Sequence, residues 1–176
     1  MIQLCPALPA DLPEIDSLLD AAFGPARRNR TAYRLRDNAV PLAALSFVAR
    51  DGDGGGDGPI IGSLQCWPLQ LRSVSGATAP LILLGPVVTA ADWQGQGIAS
   101  RMMNAAIAAA DAHGAPPMLL IGDAPFYGRF GFAAAATRNW QLPGPVDHDR
   151  LLLRGDASAL PAAGWVEAGD AVRRAA

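Results

Sequence analysis

The stretch from Leu81 to His113 constrains the fold of this 176-residue chain more than any other. It begins with an apolar run of strand length, Leu81 to Thr89, and continues through a turn that holds Gly95 and Gly97. A helix then follows to about His113, because apolar residues recur on one face (Ile98, Met102, Ala105, Ala106 and Ala109) and Gly114 can close it. A strand, a glycine-bearing turn and a helix in this order predict a mixed α/β fold.

The other segments predict short strands and one further helix. Strands are expected at Ile2 to Leu4, Leu45 to Arg50, Ile60 to Pro68, Gln70 to Ser73, Pro117 to Ile121, Trp140 to Leu142, Leu151 to Arg154 and Gly164 to Glu167. Asp11 as N-cap and Glu14 three residues later predict a capping box at the start of a helix that ends at Phe23-Gly24-Pro25. Because there is no internal repeat and no clear boundary, we expect a single domain over residues 1–176.

Two segments predict interruptions of the sheet. Pro86 lies inside the apolar run and lacks the N–H that a central strand needs, so it predicts a bulge or a place where the sheet opens. Asp51 to Gly58 has the sequence DGDGGGDG and predicts a flexible hairpin loop. The alternative, a calcium loop, is disfavoured because its twelfth position, counted from Asp51, is Gly62 rather than Glu.

Composition excludes several classes of protein. The net charge is −2, which offers no basic field for nucleic acid, and all 14 basic residues are Arg, which excludes a catalytic lysine. Cys5 and Cys66 are far apart and suggest neither a disulfide scaffold nor a zinc site. The longest apolar stretch, Ala77 to Ala91, is too short and too interrupted to span a bilayer, and no secretory signal is recognisable. We therefore expect a cytoplasmic protein without nucleic-acid or membrane partners.

The glycine-bearing turn predicts a site for a phosphate or pyrophosphate. A helix N-terminus exposes unpaired N–H groups and partial positive charge, and Gly95 and Gly97 let an anion approach the backbone. A tight turn that binds nothing is the alternative. A dinucleotide site is disfavoured because Ser100 stands where its fingerprint needs a third glycine, and a nucleotide-hydrolase loop needs a lysine.

Two sequence blocks in this region resemble a known family. Gln94-Gly95-Gln96-Gly97-Ile98-Ala99 is similar to the Q/R-x-x-G-x-G/A motif of the GNAT (GCN5-related) N-acetyltransferases. The block from Gly122 to Phe132 (GDAPFYGRFGF) resembles the GDPxYYxRFGF block of their bacterial YhbS-like branch. The resemblance implies a mixed, mostly antiparallel central sheet that is splayed at its middle and flanked by helices. It also implies acetyl-CoA as cosubstrate, with no metal.

The resemblance further implies a cofactor site between Val87 and Ser100. The backbone of Val87, Val88 and Thr89 is expected to pair with the pantetheine arm like an added strand, and an N–H near Val88 or Thr89 is expected to stabilise the oxyanion. The amides at the start of the helix are expected to hold the pyrophosphate. The residues implied in cofactor binding are Val87, Val88, Thr89, Gln94, Gly95, Gln96, Gly97, Ile98, Ala99, Ser100 and Phe126.

The implied catalytic residues are Tyr127 and Asp123. Tyr127 stands where the family places its general acid, and a phenol can protonate the leaving thiolate; a packed core aromatic is the alternative. Asp123 lies near the expected acetyl position, with capping of the following turn through its carboxylate as its alternative role. The segment from Leu81 to Thr89 contains no acidic residue, and neither His113 nor His148 is well placed, so proton removal through water is expected.

On the acceptor side, Phe23, Arg28, Gln65 and Trp67 are the implied substrate-binding residues, and Arg27 and Trp140 are further candidates for that pocket. Cys66 is expected to face the opposite side as a small core residue. The resemblance thus implies an N-acetyltransferase that acts on a primary amine. A homodimer is one possible assembly. The alternatives are a catalytically silent acyl-CoA-binding sensor with the same fold and a dinucleotide-binding oxidoreductase fragment.

Overall fold

The computed structural model describes residues 1–52 and 58–169, so most of the predicted Asp51 to Gly58 loop lies outside the described residues. The strands are β1 (Ile2–Pro6), β2 (Phe47–Asp51), β3 (Ile60–Ser73), β4 (Thr78–Thr89), β5 (Met118–Ile121), β6 (Trp140–Gln141), β7 (Leu151–Arg154) and β8 (Gly164–Ala168). The helices are α1 (Leu12–Phe23), α2 (Thr31–Arg34), α3 (Ile98–Ala112) and α4 (Ala124–Tyr127), and short 3₁₀ turns connect several elements.

The strands form one mixed sheet in the order β1-β2-β3-β4-β5-β7, with β8 paired to β3 and β6 paired to β8. The pairs β1–β2, β2–β3, β3–β8 and β5–β7 are antiparallel, whereas β4–β5 and β6–β8 are parallel. A mostly antiparallel sheet flanked by helices is the predicted fold class, which is thereby confirmed.

The chain folds as two compact units, each with its own apolar core. The first unit comprises Met1–Arg27, Pro41–Cys66 and Gly85–Ala115, and the second comprises Arg28–Val40, Trp67–Leu84 and the chain from Pro116 onward. The core of the first unit contains Ala7, Ile15, Leu19, Val48, Ile60 and Val88. The core of the second contains Leu35, Leu69, Leu71, Leu81, Leu83, Leu119, Trp140, Leu151, Leu153 and Val166. The expectation of a single domain stays a prediction.

The predicted capping box at the start of α1 is wrong. A 3₁₀ turn, Pro9–Asp11, precedes the helix, and Asp11 has helical dihedral angles (φ −79°, ψ −17°) where an N-cap needs an extended backbone. The Asp11 carboxylate instead accepts a hydrogen bond from the Leu8 N–H (2.8 Å) and pairs with Arg50 (2.6 Å). Glu14 accepts a hydrogen bond from the Ile60 N–H of β3 (2.7 Å). Both carboxylates therefore tie α1 to its surroundings rather than cap it.

One strand boundary differs from the prediction, and the interruption expected at Pro86 lies beyond the β4–β5 pairing at Ile82 and Leu83. The segments Ile60 to Pro68 and Gln70 to Ser73, predicted as separate strands, belong to the continuous strand β3. Pro86 lies within β4, where Gly85 has φ +132° and the Gly85–Pro86 peptide bond is cis. The proline is therefore accommodated inside a strand by the unusual backbone of the glycine before it.

Candidate functional site

The turn before α3 has the geometry of an anion-binding helix N-terminus. Gly95 and Gly97 both have left-handed backbones (φ +78° and +75°), and a Cβ at either position would meet open space. Gly97 is the N-cap of α3, and no side chain in the described part of the chain hydrogen-bonds to this cap. The first N–H groups of α3 have no partner within the helix, so the residues fit a phosphate-bearing ligand.

The remaining predicted residues of this turn divide into exposed and anchoring side chains. Gln94 and Gln96 are exposed, Ala99 and Ser100 are half-buried, and Ile98 is buried. The start of α3 is seated on β3 at Gly62, where an added Cβ would lie 3.0 Å from Ile98 Cγ2 and 3.1 Å from Met102 Cε. Gly62 therefore allows the helix to approach the sheet closely. Sequence reasoning missed this role, although a glycine inside a strand is the signal for such an approach.

The end of β4 presents its backbone groups alternately to its two sides. Ala90 donates its N–H to the Ile61 carbonyl of β3 (2.8 Å), which fixes the register at this point. The antiparallel alternation then directs the polar backbone groups of Val88 toward β3 and those of Val87 and Thr89 to the opposite side. Of the two N–H groups expected as oxyanion donors, only that of Thr89 points away from β3. Among the described residues, the buried Thr89 Oγ1 has no hydrogen-bond partner.

In the second unit, Tyr127 ends α4 and its ring lies on the backbone of Gly122. A Cβ at Gly122 would overlap ring atom Cε2 of Tyr127 and would lie 2.7 Å from Cδ2. The Phe126 ring packs edge-on against Tyr127 with centroids 4.9 Å apart, and Phe132 packs at 6.3 Å. The predicted Tyr127–Phe126 pair is therefore brought together, and Gly122 is a positioning residue that sequence reasoning missed.

The electrostatic surroundings keep the Tyr127 phenol protonated. Burial raises the pKa of Tyr127 above its ordinary value, and the negative charge of Asp123 raises this pKa further, whereas the positive charge of Arg150 lowers it. Arg150 lies close to this segment, because its carbonyl accepts a hydrogen bond from the Gly122 N–H (2.9 Å). No sequence motif indicated Arg150, since its position depends on the pairing of distant segments.

Asp123 is exposed and is the N-cap of α4 through its backbone. Its carbonyl accepts hydrogen bonds from the N–H groups of Phe126 and Tyr127, both at 3.0 Å. No cap hydrogen bond involving the Asp123 carboxylate is present in the described part of the chain, so capping through that carboxylate is wrong. Phe126 is half-buried, and Arg129 lies 4.6 Å above its ring.

The predicted acceptor residues lie in different environments. In the first unit, Phe23 is 37% exposed at the end of α1, and Gln65 is buried on β3 with 4% exposed. In the second unit, Arg28 is exposed, and Trp67 is half-buried against the core with the Arg36 guanidinium 4.7 Å from its ring centroid. Cys66 is fully buried, as predicted.

Two further candidates for the acceptor pocket are corrected. Arg27 is 2% exposed and forms ion pairs with Asp16 and with Asp20 (2.7 Å), so it stabilises α1 instead of facing an acceptor. Trp140 is 1% exposed, and its Nε1–H donates to the Pro161 carbonyl (3.0 Å), which makes it a core residue. Helical and strand periodicity cannot distinguish such side chains from surface ones when their partners come from elsewhere in the chain.

Within residues 1–52 and 58–169, no group of three or more His, Cys, Asp or Glu side chains could hold a metal ion. No helix in those ranges is both long and apolar enough to cross a membrane.

Comparison with known proteins identifies the family. The model of the acetyltransferase (GNAT) domain matches residues 6–135, and the chain belongs to this family. Among curated proteins, the uncharacterized N-acetyltransferase YhbS of Escherichia coli K12 is 27% identical over 129 residues, 73% of this chain and 72% of YhbS. An uncharacterized N-acetyltransferase of Streptomyces avermitilis is 31% identical over 91 residues, 51% of this chain and 22% of that protein.

Solved structures have the same fold. YhbS from Escherichia coli, in complex with CoA, superposes with a TM-score of 0.71 at 24% identity, covering 96% of this chain and 88% of YhbS. A GNAT family acetyltransferase from Brucella melitensis, in complex with acetyl-CoA, superposes with a TM-score of 0.66 at 26% identity, covering 95% of both chains. The resemblance to a YhbS-like member of the GNAT family is thereby confirmed.

Proposed function

We propose that this protein transfers the acetyl group of acetyl-CoA directly to a primary amine of a small molecule or peptide. The observation that carries the proposal is the N-terminus of α3, where a Cβ at Gly95 or Gly97 would meet open space and no side-chain cap is present in the described structure. The two similar structures support it, because one contains CoA and the other acetyl-CoA.

The binding roles follow from the backbone geometry. The N–H groups from Gln96 to Ser100 hold the pyrophosphate, since helix polarity and unpaired amides both favour an anion there. Val87 and Thr89 direct their backbone groups away from β3 and pair with the pantetheine arm. The Thr89 N–H faces the acetyl carbonyl and stabilises the negative charge that develops on its oxygen. Phe126 contributes an apolar contact to the cofactor.

The chemical roles fall on Tyr127, on its charged neighbours and on water. Acetyl-CoA supplies an activated thioester; the amine nitrogen forms the new N–C bond, and the C–S bond breaks. Tyr127 donates its phenol proton to the leaving thiolate, and its raised pKa ensures that this proton is present at neutral pH. Arg150 stabilises the phenolate that remains until solvent returns the proton. Asp123 contributes its charge to the surroundings of the Tyr127 phenol.

A second candidate, a catalytically silent acyl-CoA-binding sensor, is favoured by one observation. Neither β3 nor β4 contains an acidic residue, so these strands supply no carboxylate base. This candidate keeps the cofactor-binding roles and removes the chemical ones. It predicts tight binding of acetyl-CoA without release of thiol.

Two measurements test the proposal. Acetyl-CoA is expected to raise the melting temperature, and a panel of amines is expected to include one that releases free CoA thiol. Tyr127→Phe should lower kcat by about 100-fold, the scale of general acid catalysis, with CoA affinity unchanged. Tight binding with no thiol release from any amine would favour the sensor. Wild-type kcat in Tyr127→Phe would remove Tyr127 from the mechanism.

A further inference from the structure

Ser63 places a hydroxyl in the core of the first unit with nothing to bond to. Its side chain is 0% exposed, and Oγ has no hydrogen-bond partner in the part of the chain that the structure describes. Ser63 lies directly opposite Val48 of β2. Counting back from the hydrogen bond between Ala90 and Ile61 places Val88 of β4 on its other side. The hydroxyl thus lies between two buried valines, next to the strand that the proposed function assigns to acetyl-CoA.

A buried hydroxyl is expected to form a hydrogen bond with a polar partner. Leaving a hydroxyl unsatisfied in an apolar core is costly, and buried polar groups in folded proteins nearly always bond to protein or to ordered water. Gln65 is two residues further along β3, so its side chain lies on the same face as that of Ser63. It is 4% exposed. The two side chains define a neutral polar seat, Ser63–Gln65, which is fully closed at the serine and nearly closed at the amide.

The acidic side chains of the neighbouring helix are already engaged. Asp11 bonds to the Leu8 N–H and to Arg50, and Glu14 accepts from the Ile60 N–H. Asp16 and Asp20 both pair with Arg27. With these carboxylates occupied and with no acid on β3 or β4, the neutral Ser63–Gln65 seat is a polar feature of this core that can order water beside a reacting amine.

We propose, building on the proposed function, that the Ser63–Gln65 seat holds an ordered water that accepts the proton of the attacking amine. As the N–C bond forms, the amine nitrogen gives one proton to this water, which passes it to solvent at the Gln65 end. The C–S bond breaks, and the thiolate takes its proton from Tyr127. Amine and thioester thus become amide and thiol. Ser63 and Gln65 are positioning residues, because they act through the water.

The test compares two buried serines of the same unit. Ser63→Ala removes a hydroxyl that bonds to no protein group in the described structure, so the melting temperature should change little, while kcat falls about 10-fold and the KM for acetyl-CoA is unchanged. Ser63→Thr keeps the hydroxyl and should restore most of kcat. Ser46 is the control: its Oγ donates to the Leu42 carbonyl (2.9 Å) and accepts from the Cys66 N–H (3.0 Å). Ser46→Ala should lower the melting temperature and leave kcat unchanged.

The outcomes separate this proposal from the one on which it rests. An active wild type with an equally active Ser63→Ala protein overturns the water seat alone, and so does a Ser63→Thr protein as slow as Ser63→Ala. A wild type that releases no thiol with any amine overturns the acetyltransferase function together with the relay. A high-resolution crystal structure should show the water bonded to Ser63 Oγ and the Gln65 amide. A hydroxyl bonded instead to a main-chain carbonyl would contradict the seat.

Discussion

The contact between Gly122 and the Tyr127 ring gives a sharp test of how this fold positions its acid. In Gly122→Ala the new Cβ would overlap ring atom Cε2 and would lie 2.7 Å from Cδ2 and 3.1 Å from Leu120 Cδ1. Ordinary contacts begin near 3.4 Å, so the ring must retreat by about 0.7 Å at Cδ2, the difference between 3.4 Å and 2.7 Å, and by more at Cε2. Phe126 and Phe132 pack against the same ring and restrict where it can go.

The size of the effect follows from that displacement. Moving a reacting group by about 1 Å can lower a rate by roughly 100-fold, so we expect kcat of Gly122→Ala to fall between about 10-fold and 100-fold. Overpacking costs about 1–3 kcal/mol, and for a chain of this size each kcal/mol lowers Tm by about 2–4 °C. A ring displaced from the Gly122 backbone should also lose part of its burial. Because burial is the main cause of the raised pKa of Tyr127, this pKa should fall toward its ordinary value.

Thiol-release kinetics and a spectrophotometric titration measure both effects. The titration uses a Tyr33→Phe background, in which Tyr127 is the remaining tyrosine. The control is Gly128→Ala, in which φ is −57° and the new Cβ meets open space, so neither kcat nor the phenol pKa should change. The double variant Gly122→Ala/Tyr127→Phe should be no slower than Tyr127→Phe, because the same group is already lost. Wild-type kcat and an unchanged phenol pKa in Gly122→Ala would refute the reasoning.

Two other predictions concern the helix N-terminus and the cysteines. Gly97→Glu should abolish CoA binding in a thermal-shift titration, because its carboxylate would occupy the phosphate position. Gly97→Ala carries the same left-handed strain without the charge and should still bind CoA. Undiminished CoA affinity in Gly97→Glu would contradict the placement of the phosphate at this turn. Burial raises the pKa of the Cys66 thiol, so a thiol reagent should modify the half-buried Cys5 in the native protein and reach Cys66 only on unfolding. Rapid modification of both thiols below the melting transition would show that the core around Cys66 opens.

Much of the architecture could be predicted because it depends on short-range patterns. The apolar run before Thr89 predicted β4, the spacing from Ile98 to Ala109 predicted α3, and the observed helix, Ile98–Ala112, ends within a residue of the prediction. The resemblance of the two motif blocks pointed to the GNAT family, which the family model confirms over residues 6–135. The functional roles of individual side chains remain predictions.

What the sequence by itself determined is therefore local: a glycine-bearing turn, a strand before it, a helix after it and an aromatic block further on. Only the tertiary structure decided which side chains meet. Arg27 is buried beside Asp20 and Asp16, which lie about one and two helical turns before the end of α1, and Tyr127 rests on Gly122 because α4 folds back over the end of β5. Among the described residues Ser63 has no hydrogen-bond partner, because the residues opposite it on β2 and β4 are the apolar Val48 and Val88. Periodicity specifies which face of an element is apolar, but it carries no information on the atoms that will stand opposite.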